Sequence, residues 1–224
     1  VENLIQKGIR LLFLPSIIDM RQNREDLPQG FNCPYVQTIP YTVRSAFDFQ
    51  AMGVKLLAPP LRFGAPRKEL HKALMRLGGS LGVKAARVRK AIQAAEEAQE
   101  RFSLAMKQMG KQALDGLKPH ERAMVIVSRV YNGCDSGVNL NLPRKLRDLG
   151  VLAIPMDGLP LEGIEPDEEV LGHYWRYGQR FMSSAKLLRE DPRLYPIYIT
   201  NFGCGPDSFI EHFFRNAMGE KPLL

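Results

Sequence analysis

The chain has 224 residues, 45% of them hydrophobic, and a formal net charge of +7 from 31 basic and 24 acidic side chains. That is enough apolar material for one large domain or two small ones, and no run approaches the ~18 apolar residues of a membrane span, so a soluble globular protein is expected. The basic balance permits nucleic acid, but charges of both signs are interleaved and no nucleic-acid-binding motif accompanies them, which argues against that partner.

The N-terminus, VENLIQKGIR, has neither a signal-peptide apolar region nor an initiator Met, and the chain reads as a piece of something longer. Strand-length apolar runs follow at Ile9–Ile17, Val54–Pro59, Ala123–Tyr131, Val151–Pro155 and Tyr195–Phe202. Tyr35–Val43 is a weaker strand candidate, interrupted by Pro40. The loop from Asp19 to Gly30 is polar and expected to be exposed. Helical patterns cover Pro66–Leu77, Lys84–Leu114, Pro143–Leu149, Asp167–Arg189 and Pro206–Met218. This alternation predicts an α/β fold: two open, mainly parallel-sheet subdomains with flanking helices.

The longest helical pattern places Val88, Ile92, Ala95, Phe102, Met106, Met109 and Ala113 on one apolar stripe of a helix about 45 Å long, read as a bridge between two α/β halves. Gly110 and Asp115–Glu121 are expected to end it, which puts a boundary near residue 118, with subdomains 1–118 and 119–224. Asn141, Pro143 and Gly150 punctuate one later helix, and Pro206 starts another. The last residues, GEKPLL, read as the start of a further strand.

Three cysteines, Cys33, Cys134 and Cys204, are too few and too widely spaced for a secreted disulfide framework, and a reducing, cytoplasmic setting is expected. Each follows a strand candidate or the loop after one, and in open parallel sheets ligands collect at the carboxyl ends of strands. Three thiolates on one such edge suit an iron-sulfur cluster with an open iron, or a metal with an open position. The plain alternative is that each cysteine is a small core hydrophobe. Pro34 stiffens the chain beside Cys33, and Gly203 and Gly205 leave room beside Cys204 for a bulky inorganic group.

Other chemistries have weaker support. The four histidines make no HExxH pattern, there is no CxxC, and GxSxG, Walker A and GxGxxG sequences are absent. GCGPDS also reads as an anion-binding turn, with Ser208 and backbone amides on a phosphate. Asp135 and Asp207 read as cap or turn residues. In GHYWRYGQRF, Tyr174, Tyr177 and Phe181 have the spacing of a buried helix face, with Arg176 and Arg180 on the neighbouring stripe.

The stretches FNCPY, VYNGCDSGVNLNLPRKLRDLGVLAIPMDGLPL, YWRYGQR and RLYPIYITNFGCGPDSFI together resemble the uncharacterised domain of large CoA-substrate-specific enzyme activases, proteins similar to activators of 2-hydroxyglutaryl-CoA dehydratase. That region is in turn similar to the cluster-bearing subunits of 2-hydroxyacyl-CoA dehydratases. The resemblance implies a 4Fe-4S-type cluster held between α/β subdomains, with Cys33 and Cys204 at ligand motifs and Gly203 and Gly205 beside it. It also implies partners: ATPase modules of the same or another chain, and CoA-ester dehydratase components. Relatives carry a further cysteine motif upstream that has no counterpart here, and SRVYN stands where many have Gly-Arg-Pro-Tyr. Cys134 matches no ligand position and reads as a third ligand, a neighbour or an incidental residue. No ATPase motif lies in these residues, so this stretch is not expected to hydrolyse ATP.

Overall fold

The computed structural model describes residues 1–21, 30–164, 175–201 and 203–224. Most of the polar loop and the first part of the helix expected over Asp167–Arg189, including Tyr174, lie outside these. The described residues form an α/β protein whose strand ladders are all parallel. It divides into two compact units, the first running through Ala95 and the second carrying the chain from Glu96 onward.

In the first unit, a short helix α1 (Glu2–Gln6) leads into β1 (Leu11–Phe13) and β2 (Ser16–Asp19), which pair with β3 (Lys55–Leu57) and β4 (Pro60–Arg62) respectively. The apolar run Ile9–Ile17, expected as one strand, is therefore two, and β4 is an addition. The physical reason is proline: Pro15 and Pro59 have no N–H to give a ladder, so each strand breaks beside them. The amides of Leu14 and Ser16 still donate to the carbonyls of Leu57 and Pro59, at 2.9 and 3.0 Å, which keeps the two short ladders in line.

The crossover helix α2 (Pro34–Ala46) corrects the weak strand expected over Tyr35–Val43. Its inward residues, Val36, Gln37, Pro40, Val43 and then Phe47, recur at helical spacing. Pro40 costs one helical hydrogen bond, but it is buried, and Pro34 opens the first turn, where a missing N–H is harmless. A small cluster of Leu12, Phe49 and Val54 is core here, and Leu61, Val88 and Ile92 are buried outside it. Asp19, 4% exposed, ties the end of β2 to the chain leaving β4: it pairs with Arg62 Nε at 2.8 Å and accepts from the Gly64 amide at 2.8 Å. Helix α3 (Arg67–Ser80) then meets α4 (Ala85–Asp115), and a Cβ at Gly78 would collide with Val88.

Helix α4 runs through Gly110 without stopping, correcting the expected terminator. Gly110 has a packing role instead, because a Cβ there would sit inside the backbone of Gly158. The expected single stripe is also corrected. Val88 and Ile92 are buried, but Phe102 and Met109 are 62% and 64% exposed, while Gly110 is buried and Met106 and Ala113 are half-buried.

The second unit holds a three-stranded sheet ordered β6-β5-β7, all parallel: β5 (Ala123–Ser128) is central, with β6 (Leu152–Pro155) and β7 (Leu194–Ile199) beside it. A short α5 (Val130–Cys134) and α6 (Leu142–Asp148) connect β5 to β6, and a 3-10 turn (Met156–Gly158) follows β6. Helices α7 (Arg176–Glu190) and α8 (Gly205–Met218) frame β7 in sequence. Because successive strand residues face opposite sides, Val125 and Val127 join the main core with Phe181, Leu188, Ile210 and Phe214. On the other face, a Cβ at Gly133 of α5 would meet Ile126 and strike Ser128, so that helix sits close on the end of β5. Leu224 accepts from the Tyr198 amide at 2.8 Å and donates to the Pro196 carbonyl at 3.3 Å, a parallel bridge on the outer edge of β7.

Candidate functional site

In the second unit the chain leaves β5 toward β6 on one side and later reaches β7 on the other. The point where strand order reverses, at the carboxyl end of the central strand, is where open parallel sheets open a crevice. Three segments arrive there: Ser128–Arg129 from β5, Pro155–Asp157 from β6 and Thr200–Gly205 from β7.

At its centre Arg129, on the first residue after β5, and Asp207, in the first turn of α8, form a buried ion pair. Arg129 Nη2 lies 2.7 Å from Asp207 Oδ1, and Nε donates to both carboxylate oxygens at 3.0 and 3.2 Å. The side chains are 5% and 2% exposed. Thr200 Oγ1 donates to Asp207 Oδ2 at 3.1 Å, Tyr198 Oη donates to the Asp207 backbone carbonyl at 3.3 Å, and the guanidinium lies 5.2 Å from the Tyr177 ring centroid. Burial works against the Arg129 charge, but the hydrogen bonds and attraction of Asp207 outweigh it and hold its pKa above the usual value. Asp207, expected as a cap or turn residue, is thus the partner of an arginine 78 residues away in sequence.

Cys204 is the N-cap residue of α8, directly against this pair, and half-buried. Gly203 has φ +81°, a left-handed conformation that side chains resist, and that explains the first glycine. The second differs: a Cβ at Gly205 would meet nothing within 4 Å among the described residues, which leave the space beside Cys204 open. Burial pushes the Cys204 thiol up; a hydrogen bond from the Asp207 amide and the Arg129 charge oppose this, the Asp207 carboxylate adds to it, and the balance is upward.

Cys134 ends α5 and is exposed, its thiol pushed up by partial burial and by the Asp157 charge. It lines a cleft of about 370 Å³ with Ser136, Asn139, Asn141, Arg144 and Arg147. Asp135 does act as a turn residue, accepting from the amides of Gly137 and Val138 at 2.9 Å each. Leu140 and Asn141 both have positive φ, 53° and 57°, an uncommon conformation for residues with side chains. Asn132, 1% exposed, has neither carboxamide atom hydrogen-bonded. On the segment after β6, Asp157 pairs with Arg180 at 2.7 Å, and burial together with repulsion from Arg180 lowers Arg176 to about 10. Phe181, 1% exposed, is core as expected.

Cys33 lies in the first unit as the N-cap residue of α2, half-buried. The segment before it turns back along β2: the Asn32 amide and side chain donate to the carbonyls of Ile18 and Ile17, at 3.0 and 3.2 Å. Gln37 Nε2 donates to the Asn32 carbonyl at 2.8 Å, and Ser16 Oγ donates to the Gln37 carbonyl at 2.5 Å, so the loop carrying Cys33 is pinned from both sides.

All three cysteines are free thiols. A cubane needs at least three thiolates, whereas the second unit supplies two and the first supplies one. Among the described residues, no three His, Cys, Asp or Glu side chains gather as a metal-binding group. Neither unit alone fits a cluster, although the open space at Gly205 and the half-buried thiol of Cys204 fit a metal-ligating residue.

These features define a class: a parallel-sheet α/β protein whose free cysteines stand on the segments that follow its strands. The chain belongs to the CoA enzyme activase uncharacterised domain family, whose model matches residues 1–159. Cys33 and Cys134 lie inside the matched residues and Cys204 beyond them. No curated protein and no solved structure matches the chain. No described helix is long and apolar enough to cross a membrane.

Sequence reasoning missed Arg129 and the Arg144–Arg147 pair. Arg129 had one signal, a lone arginine inside the apolar run Ala123–Tyr131, of which the structure makes a strand only to Ser128, but its partner is distant in sequence. Arg144 and Arg147 were visible only as surface residues of a well-punctuated helix.

Proposed function

We propose that this chain is the part of a CoA enzyme activase that supplies Cys33 and Cys204 as ligands to an iron-sulfur cluster of the 4Fe-4S type serving a 2-hydroxyacyl-CoA dehydratase. The observation that carries the reading is the setting of Cys204: a half-buried thiol on the N-cap of α8, backed by the Arg129–Asp207 pair and open at Gly205. Bound there, such a cluster would supply one-electron chemistry. The chain's own contribution is positional. Arg129 and Asp207 lock the start of α8 to the end of β5, and the Asp207 amide donates toward the Cys204 sulfur, which favours its thiolate. ATPase modules and CoA-ester dehydratase components are the partners this reading requires, in the cytoplasm.

The test is anaerobic reconstitution of the full-length protein with iron and sulfide, read by iron content and visible absorbance. Iron should load on the natural chain and fall to background in Cys33→Ala and Cys204→Ala. Equal loading in natural and doubly substituted protein, or none in either, rejects the reading, and Cys134→Ala reports whether Cys134 is a third ligand.

A second reading, a cofactor-free module that docks a partner or holds an acyl-CoA or phosphate with structural cysteines, is favoured by the cleft beside Cys134. Arg144 and Arg147 line it, are exposed, and make no ion pair among the described residues. Calorimetric titration with CoA thioesters should give heat that Arg144→Ala plus Arg147→Ala abolishes. Absence of heat at about millimolar ligand, roughly the weakest affinity such a site would need, counts against it.

A further inference from the structure

We propose that the hairpin of α3 and the start of α4 is a docking surface for an acidic face of another protein. From Pro66 to Ala95 the chain carries eight Lys and Arg against Glu69 alone, a balance of +7 that equals the net charge of the whole chain. The rest is balanced, so the protein's excess charge sits on one helical hairpin. Lys68, Lys72 and Arg76 recur at four-residue steps, forming one exposed face of α3 about 12 Å long. They border an open groove of about 860 Å³, lined also by Arg67, His71 and Met75. Lys84, Arg87, Arg89 and Lys90 continue the charge, also exposed. Lys68, Lys72, Arg76, Lys84, Arg87, Arg89 and Lys90 are in no ion pair among the described residues.

The hairpin is rigid where it turns, because Gly78 of α3 lies tight against Val88 of α4. Its tip presents Leu81 and Val83, 42% and 37% exposed. A small apolar tip beside unpaired cations suits a protein face with acidic residues next to an apolar patch, since the apolar contact is desolvated and the charges steer and orient the encounter. Nucleic acid and membrane fit less well. The segment has no Phe, Tyr or Trp to stack on bases or to seat at a lipid interface. The proposal is independent of the cluster reading, because no cysteine lies in this segment.

The probe is a Glu-rich amphipathic peptide with one leucine stripe, titrated against the full-length protein at about 0.15 M ionic strength, where the Debye length is about 8 Å. Reversing Lys68, Lys72 and Arg76 to Glu should weaken binding about tenfold or more, and Leu81→Ser with Val83→Ser should weaken it several-fold. Reversing the exposed Lys7, Arg44 and Lys55 to Glu is the control and should change it by less than about twofold. Equal loss in the control, or no loss from either hairpin variant, overturns the proposal. Tighter binding of a DNA duplex or of phosphatidylserine vesicles than of the peptide, lost in the same hairpin reversal, overturns the choice of a protein partner. Unchanged circular dichroism confirms that each exposed-site variant is folded.

Discussion

Arg129 and Asp207 illustrate why a buried ion pair is a constraint on neighbours more than a source of stability. Taking both charges out of water costs several kcal/mol, and their mutual hydrogen bonds return it only while both are present. Arg129→Met alone should therefore destabilise the protein by about 3–5 kcal/mol, by leaving Asp207 buried and unpaired, while Arg129→Met with Asp207→Leu should recover much of that loss. Chemical denaturation of the two variants checks this, and an additive double variant would refute the coupling. The cysteines titrate in a direction set by the same surroundings. Cys204 and Cys134 are both held above the ordinary thiol pKa, so each is more protonated at a given pH than a free cysteine. Only the thiolate is alkylated, so their iodoacetamide rate profiles, followed by peptide mass spectrometry, should be displaced to higher pH than that of a model thiol. A profile displaced to lower pH for Cys204 would mean that Arg129 and the α8 amides outweigh burial.

At the scale of elements, glycine is where sequence logic and tertiary logic part. Alanine in place of a helical glycine gains up to about 1 kcal/mol from propensity alone. Gly79→Ala in α3 should realise some of that, since a Cβ there meets nothing within 4 Å. Gly110→Ala in α4 should instead lose about 1–3 kcal/mol, because its Cβ would press on the Gly158 backbone, which has no rotamer to yield. Denaturation midpoints of opposite sign for the two variants are the expected result. This contrast also explains the misread terminator: glycine ends helices often enough for the expectation to be reasonable, but here it lets a chain segment approach. The misassigned α2 has a similar origin. Its apolar residues are β-branched or aromatic and carry an internal proline, features that favour extended chain locally. Only burial of Val36, Pro40 and Val43 on one face makes the helix the better solution.

Across the whole molecule, burial is unevenly spread. The second unit has a core that includes Val125, Val127, Phe181, Leu188 and Phe214, whereas the first has Leu12, Phe49 and Val54 with short ladders broken by proline. Opening free energy follows buried apolar contact, so amides of β5 and β7 should exchange with solvent most slowly, and those of β1 to β4 markedly faster. Native-state hydrogen exchange read by mass spectrometry checks this order, and slower exchange in β1 and β3 than in β5 would contradict it. The exposure of the candidate groups divides along the same lines. The free thiols and the cationic hairpin lie at exposed or half-exposed positions, while Arg129 and Asp207 are buried in the better-cored unit and hold Cys204 in place.

The sequence by itself determined the α/β class, the strands of the second unit, the helix starts at Pro143 and Pro206, and the cysteines after strands. These are short-range properties: apolar run length, proline and glycine at element ends, and residue type. It also placed the chain in its family through motifs around those cysteines. Only the tertiary structure decided that Arg129 meets Asp207, that Gly110 meets Gly158, and that Arg144 and Arg147 border Cys134, because each pairing joins segments whose closeness depends on the path of the whole fold. The two glycines beside Cys204 divide in the same way. Left-handed backbone accounts for Gly203, a matter of local geometry. At Gly205 the backbone is unstrained and exposed, and only the folded structure shows that no described atom lies within 4 Å of its Cβ direction.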